Sequence, residues 1–123
     1  MAQSVGPYTP VVRAGQWLVC SGQLGLVDGA IVEGGLAAQV TQAVRNVASL
    51  LGSEGSGLED VVKTTVFLTD MADFGAMNDA YVAAFGDNRP ARSAFAVVGL
   101  PLGALVEIEA WAYMSRSPAS SAG

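Results

Sequence analysis

Five short stretches of the chain carry side chains able to do chemistry. In Arg89-Pro90-Ala91-Arg92-Ser93 a proline-set turn delivers Arg92 to the start of an extended segment. A guanidinium there can reach into a cleft and grip a carboxylate by two parallel hydrogen bonds, or form an ordinary surface salt bridge. Glu107 and Glu109 stand two residues apart. On a strand they point the same way, with about 6.6 Å between their Cα atoms. Paired carboxylates push each other's proton affinities apart, which suits acid–base work; they can equally face solvent, or pair with Arg92 or Lys63. Ser21-Gly22-Gln23 closes a strand with a hydroxyl and an unhindered glycine amide, a corner that either holds an anionic oxygen or simply turns the chain. Tyr8, in Gly6-Pro7-Tyr8, is a site phenol or an anchor for the N-terminal segment. Cys20 reads as a buried strand thiol, because its neighbours are apolar and nothing nearby would activate it.

The composition narrows the chemistry further. The 123 residues include no histidine and one cysteine. Ser-His-Asp triads, Cys-His pairs, imidazole-ligated zinc and an intrachain disulfide are therefore excluded. Six basic against eleven acidic residues give a net charge of -5, so no basic patch for nucleic acid is expected. With 51% apolar and 14% charged residues the chain is no disordered polymer, and part of its apolar surface is expected to be covered by other subunits. The opening residues, MAQSVGPYTP, have neither the basic region nor the apolar core of a signal peptide. No apolar run approaches the roughly 20 residues that cross a bilayer, so a soluble, cytoplasmic protein without a membrane partner is expected.

The elements that must position these residues follow from periodicity. Gln16–Ser21 reads as a strand, and Asp28-Gly29 as the turn of a hairpin between Val27 and Val32. Leu36, Val40, Ala43, Val44, Val47, Leu50 and Leu51 form one helix face, bounded by Gly34-Gly35 and Gly52. The glycines at 52, 55 and 57 follow a helix and lack a GKS or GKT, so they read as linker rather than phosphate loop. Val61–Leu68 is a β-branched strand, and Phe74, Met77, Tyr81 and Phe85 sit at helical spacing. Arg92–Val98 and Leu105–Met114 are strands; the second puts Val106, Ile108, Ala110 and Ala112 on one face and Glu107, Glu109, Trp111 and Tyr113 on the other. The predicted order is ββ(β)αβαββ. It describes one α+β domain over residues 1–114, whose mixed sheet carries two helices on one face and packs against other subunits through the other. Residues 115–123, SRSPASSAG, read as a disordered tail.

Gly6-Pro7-Tyr8, Cys20-Ser21-Gly22-Gln23, the stretch from Asp60 to Leu68, Pro90-Ala91-Arg92-Ser93 and Val106-Glu107-Ile108-Glu109-Ala110 occur in order at familiar separations. Together they resemble the RidA (YjgF, reactive intermediate deaminase) family over nearly the whole chain. The resemblance implies a chorismate-mutase-like fold, a homotrimer and sites in clefts between subunits. It implies hydrolysis of enamines and imines such as 2-aminoacrylate and 2-iminopropionate to 2-oxo acids and ammonia, without cofactor or metal. It places the carboxylate-binding arginine on Arg92 and the water-holding glutamate on Glu107. The tyrosine falls on Tyr8, the serine and glycine on Ser21 and Gly22, and the asparagine on Asn78. Ala94 stands where many relatives carry a cysteine, so no thiol chemistry is assigned there. A non-catalytic protein that binds small carboxylates, or a regulatory protein of the same fold, is the alternative.

Overall fold

The structure is a computed structural model that describes residues 6–115. The tail expected over 115–123 therefore lies almost wholly outside the described residues. The elements are β1 (Val11–Ala14), β2 (Trp17–Gln23), β3 (Leu26–Val27), β4 (Ala30–Ile31), α1 (Gly35–Gly52), β5 (Val61–Leu68), α2 (Phe74–Phe85), β6 (Ala91–Ala96) and β7 (Val106–Tyr113). Five strands form one sheet in the order β1-β2-β7-β5-β6, and β3 with β4 makes a separate two-residue hairpin. Only the β5–β6 pair is parallel, as its connection through α2 requires, so the sheet is mixed as expected.

The predicted apolar face of α1 is the buried one: Val40, Ala43, Val47, Leu50 and Leu51 are each fully covered. They pack with Leu18 of β2, Val66 and Leu68 of β5, and Ile108 and Ala110 of β7 in a single core between helices and sheet. Asp28 and Gly29 both take positive φ at the tip of the β3–β4 hairpin, the conformation that made Asp-Gly a turn signal. No helix of the described residues is long and apolar enough to cross a membrane.

Several features differ from expectation, among them β2, which runs on to Gln23 where the predicted strand ends at Ser21. The strand predicted over Arg92–Val98 ends at Ala96, because β5 ends at Leu68, whose carbonyl takes its last bond from the Val97 amide. Val98 then projects fully into solvent. β1, not foreseen, pairs with β2 across Gly15-Gln16, with Gly15 at φ 62°. Phe74, placed on the buried stripe of α2 by spacing, is exposed, whereas Met77, Tyr81 and Phe85 are buried.

The sheet face away from the helices is open. Trp17, Trp111 and Tyr113 cluster edge to face there, with centroid distances of 6.1 Å and 5.1 Å, and Phe67 stacks on Phe95 at 6.4 Å. Val12, Val62, Phe95 and Trp111 are all more than 40% exposed. Exposed aromatic clusters of this kind mark an interaction face.

Candidate functional site

Glu107 lies on the open face, opposite Phe67 of β5, while its neighbours Val106 and Ile108 point into the core. β2 passes close beside it. After Cys20 the register of β2 against β7 shifts, and the shift brings the Gly22 backbone against the Glu107 side chain. A Cβ built on Gly22 would stand 2.2 Å from Glu107 Oε2, 2.6 Å from Cδ and 2.9 Å from Cγ. Only glycine leaves the carboxylate its place. Beside it the Ser21 hydroxyl donates to the Thr9 carbonyl at 2.8 Å, and the Ser21 amide donates to the Pro10 carbonyl at 2.8 Å. These two bonds tie the segment carrying Tyr8 to the strand. Tyr8, Ser21, Gly22, Gln23, Leu24 and Glu107 line a cleft of about 200 Å³, closed by Leu26 and Pro101.

Glu107 forms no ion pair among the described residues, where the single salt bridge is Arg13 to Glu54 at 3.4 Å. Burial, and secondarily the neighbouring Glu109 carboxylate, hold the Glu107 carboxyl above its ordinary range. A carboxylate so placed binds a proton more readily than free glutamate, which suits a base. Lys63, a potential partner, instead donates to Ser93 Oγ at 2.7 Å.

Arg92 occupies another place. It lies in register with Thr64 of β5, on the helix-covered face. Its guanidinium sits 5.5 Å from the Phe74 ring centroid and 5.0 Å from that of Tyr81, with Nη1 3.7 Å from Met77 Sδ. The salt bridge weighed for Arg92 is absent among the described residues; aromatic rings hold it instead. Asn88 fixes the turn that delivers this strand by donating to the Leu58 and Val61 carbonyls at 2.8 and 3.3 Å. Asn78 follows Phe74 by four residues and precedes Tyr81 by three, so it shares their helix stripe. Its Oδ1 is buried and has no hydrogen-bond partner among the described residues. A buried acceptor of this kind calls for a donor from outside the chain.

The expected site residues thus fall into two groups. Tyr8, Ser21, Gly22 and Glu107 share one cleft, whereas Arg92 and Asn78 stand across the sheet. Arg92 and Glu107 are two strands apart, three residues apart along β5, and on opposite faces. Their Cα atoms are therefore roughly 14 Å apart, with side chains diverging. One small substrate cannot touch both within one chain.

Some positioning residues escaped the reading of the sequence. Asn46 of α1, buried, donates to the Leu24 and Leu26 carbonyls at 3.0 Å each, and Gln39 Oε1 accepts from the Leu105 amide at 2.9 Å. They pin the loops beside the cleft to the helix. The signal was present: each lies three residues after an apolar-face position, Leu36 or Ala43, so a polar group had to be buried there. Cys20 is buried as expected, with its thiol pushed up to about 12 by that burial, which removes it as a nucleophile.

A family model described as endoribonuclease L-PSP matches residues 1–114. A 2-iminobutanoate/2-iminopropanoate deaminase from Mus musculus is 42% identical over 109 residues, spanning 87% of this chain and 81% of that protein. A RutC family protein from Pyrococcus horikoshii is 42% identical over 111 residues, or 89% and 88% of the two chains. The crystal structure of RidA from a Psychrobacter species superposes with a TM-score of 0.87 at 38% identity, covering 91% of this chain and 92% of that one.

Proposed function

We propose, since this chain belongs to the RidA family that the endoribonuclease L-PSP model describes, that it hydrolyses reactive imines of the 2-iminopropanoate type to 2-oxo acids and ammonia. The observation that supports this most is the Glu107 carboxylate. It stands in a small cleft beside the Ser21 hydroxyl, with no cation of its own chain paired to it among the described residues, and burial raises its affinity for a proton. That is the placement of a base for water, and the Ser21 hydroxyl beside it is already engaged with the Thr9 carbonyl.

The two groups of residues make one site if a second copy supplies the missing half. Arg92 and Asn78 of one subunit would face the Tyr8, Ser21, Gly22 and Glu107 cleft of the next. The exposed aromatic surface around Trp17, Trp111 and Tyr113 would be covered in the same assembly, which we take to be a homotrimer. Arg92 would hold the substrate carboxylate with two charge-assisted hydrogen bonds, and the Gly22 amide would be a further donor. Glu107 would take a proton from water as its oxygen bonds to the imine carbon. The resulting carbinolamine receives that proton on nitrogen; Glu107 then takes the hydroxyl proton as the C=O bond forms and the C–N bond breaks, and ammonia leaves, carrying that proton off as ammonium, with the 2-oxo acid. Ser21 and Tyr8 orient or relay at the rim. A protonated imine is already electrophilic, so orientation supplies most of what is needed.

The family model's description mentions an RNA-cutting activity. A net charge of -5 and the lack of histidine speak against that chemistry in this chain. The test is ammonia release from freshly generated 2-iminopropanoate and 2-iminobutanoate by the parent and Arg92→Ala. Loss of a charge-assisted contact costs on the order of 3 kcal/mol, so kcat/KM should fall about a hundredfold in the variant. A parent protein that binds 2-oxo acids without accelerating ammonia release would be a carboxylate-binding or regulatory protein instead.

A further inference from the structure

Among the described residues no carboxylate holds the Arg92 guanidinium, yet it is not loose. We propose that Tyr81, fixed by Thr64, is a positioning residue that sets the plane in which Arg92 presents itself to a substrate carboxylate. The inference rests on the reading of Arg92 as the carboxylate-binding group. Thr64 is fully buried on β5, next to Arg92 in strand register, and its Oγ1 lies 2.7 Å from the Tyr81 hydroxyl. That hydrogen bond ties the far end of the Tyr81 ring to the sheet. Phe85 packs on the same ring at 4.6 Å and 33°, limiting its tilt from the helix side. The ring is thus anchored at its hydroxyl and braced by a neighbour before Arg92 meets it. The guanidinium then rests 5.0 Å from the ring centroid, with Phe74 5.5 Å away and Met77 Sδ accepting from Nη1.

The arrangement has a chemical logic. A carboxylate placed beside Arg92 would neutralise its charge but also compete for its direction and draw it away from the sheet. Rings attract the cation through their faces without occupying its N–H edge, so they orient it while leaving most of its donors for substrate. Burial keeps the Tyr81 phenol neutral, so the ring does not become a competing anion. Tyr81 therefore acts on the substrate only through Arg92.

The experiment compares Tyr81→Leu, Tyr81→Phe, Thr64→Val and the Tyr81→Phe/Thr64→Val double variant. Readouts are KM and kcat on 2-iminobutanoate and calorimetric affinity for 2-oxobutanoate. Tyr81→Leu removes the ring and should raise KM about tenfold with kcat changed far less. Tyr81→Phe keeps the ring and loses the tether, so it should weaken 2-oxobutanoate binding by about threefold. Thr64→Val should match it, and the double variant should be no worse than either, because both remove one hydrogen bond. Should Tyr81→Leu not fold, the two conservative variants and their double still decide. Affinity equal to the parent's in Tyr81→Phe and Thr64→Val, additive losses in the double, or a loss confined to kcat would overturn the inference. A parent protein that neither turns over imines nor binds 2-oxobutanoate would instead overturn the reading of the site itself.

Discussion

Replacing Gly22 by alanine puts a methyl group where Glu107 now lies. Gly22 is not among the glycines with positive φ, so its backbone accepts alanine and the fold should persist. The new Cβ would stand 2.2 Å from Glu107 Oε2, and ordinary contact begins at 3.4 Å. The carboxylate must therefore retreat by about 1.2 Å, and because Cγ is also met, at 2.9 Å, turning the tip is not enough. The whole side chain has to swing. A base displaced by about 1 Å from its water costs on the order of a hundredfold in turnover. The Gly22 amide stays in place, so binding of a 2-oxo acid should weaken far less than kcat falls. Steady-state ammonia release on 2-iminobutanoate, beside calorimetry with 2-oxobutanoate, reads both quantities on the same preparation. A folded Gly22→Ala protein with parental kcat would show that the position of the Glu107 carboxylate does not matter, and the role given to it would fail.

Two further predictions concern the carboxylates. Burial raises the Glu107 pKa above its ordinary 4.5, so the folded chain binds this proton more tightly than the unfolded chain. Stability contributed by the group accordingly falls as pH rises from about 4.5 through the raised value, and the penalty is complete above it. Glu107→Gln should therefore melt higher than the parent at pH 7, with the difference vanishing below about pH 4; equal melting temperatures at pH 7 would contradict the burial argument. Glu109→Gln removes the negative neighbour that helps hold the Glu107 pKa up, so the acid limb of kcat/KM should move to lower pH with its plateau nearly intact. An unmoved limb would show that the Glu109 charge does not act on the titrating base, and a plateau that collapses would transfer the catalytic role to Glu109.

Much of the fold was legible because its elements obey simple periods. The α1 stripe from Leu36 to Leu51 and the alternation of β7 from Val106 to Tyr113 are each local patterns, and each is buried as read. The failures are where non-local partners decide. The end of β6 depends on where β5 stops, and β1 is only four residues long, too short to show a pattern of its own. Phe74 is exposed because it is the first residue of α2, at the end of the helix, a position that helical spacing does not distinguish from the buried stripe. At the site, periodicity correctly put Glu107 and Glu109 on one face, yet nothing local distinguished them. The Gly22 contact does, since it touches Glu107 and requires the register shift in β2. That Arg92 and Glu107 lie on opposite faces is likewise a property of pairing across β5.

A site divided between copies of the chain is tested most directly by subunit complementation. Arg92→Ala and Glu107→Gln, each nearly inactive alone, are co-expressed in equal amounts with different tags, and mixed oligomers are isolated together with the pure ones. If Arg92 and Glu107 of one site come from different subunits, intact sites reappear wherever the Glu107→Gln chain supplies Arg92 and the Arg92→Ala chain supplies Glu107. With random mixing this holds for one site in four, so about a quarter of parental activity should return, whatever the number of subunits in the ring. If both residues acted within one chain, every site would keep one lesion. Mixed oligomers verified by native mass spectrometry whose activity stays at the level of the single variants would contradict the divided site.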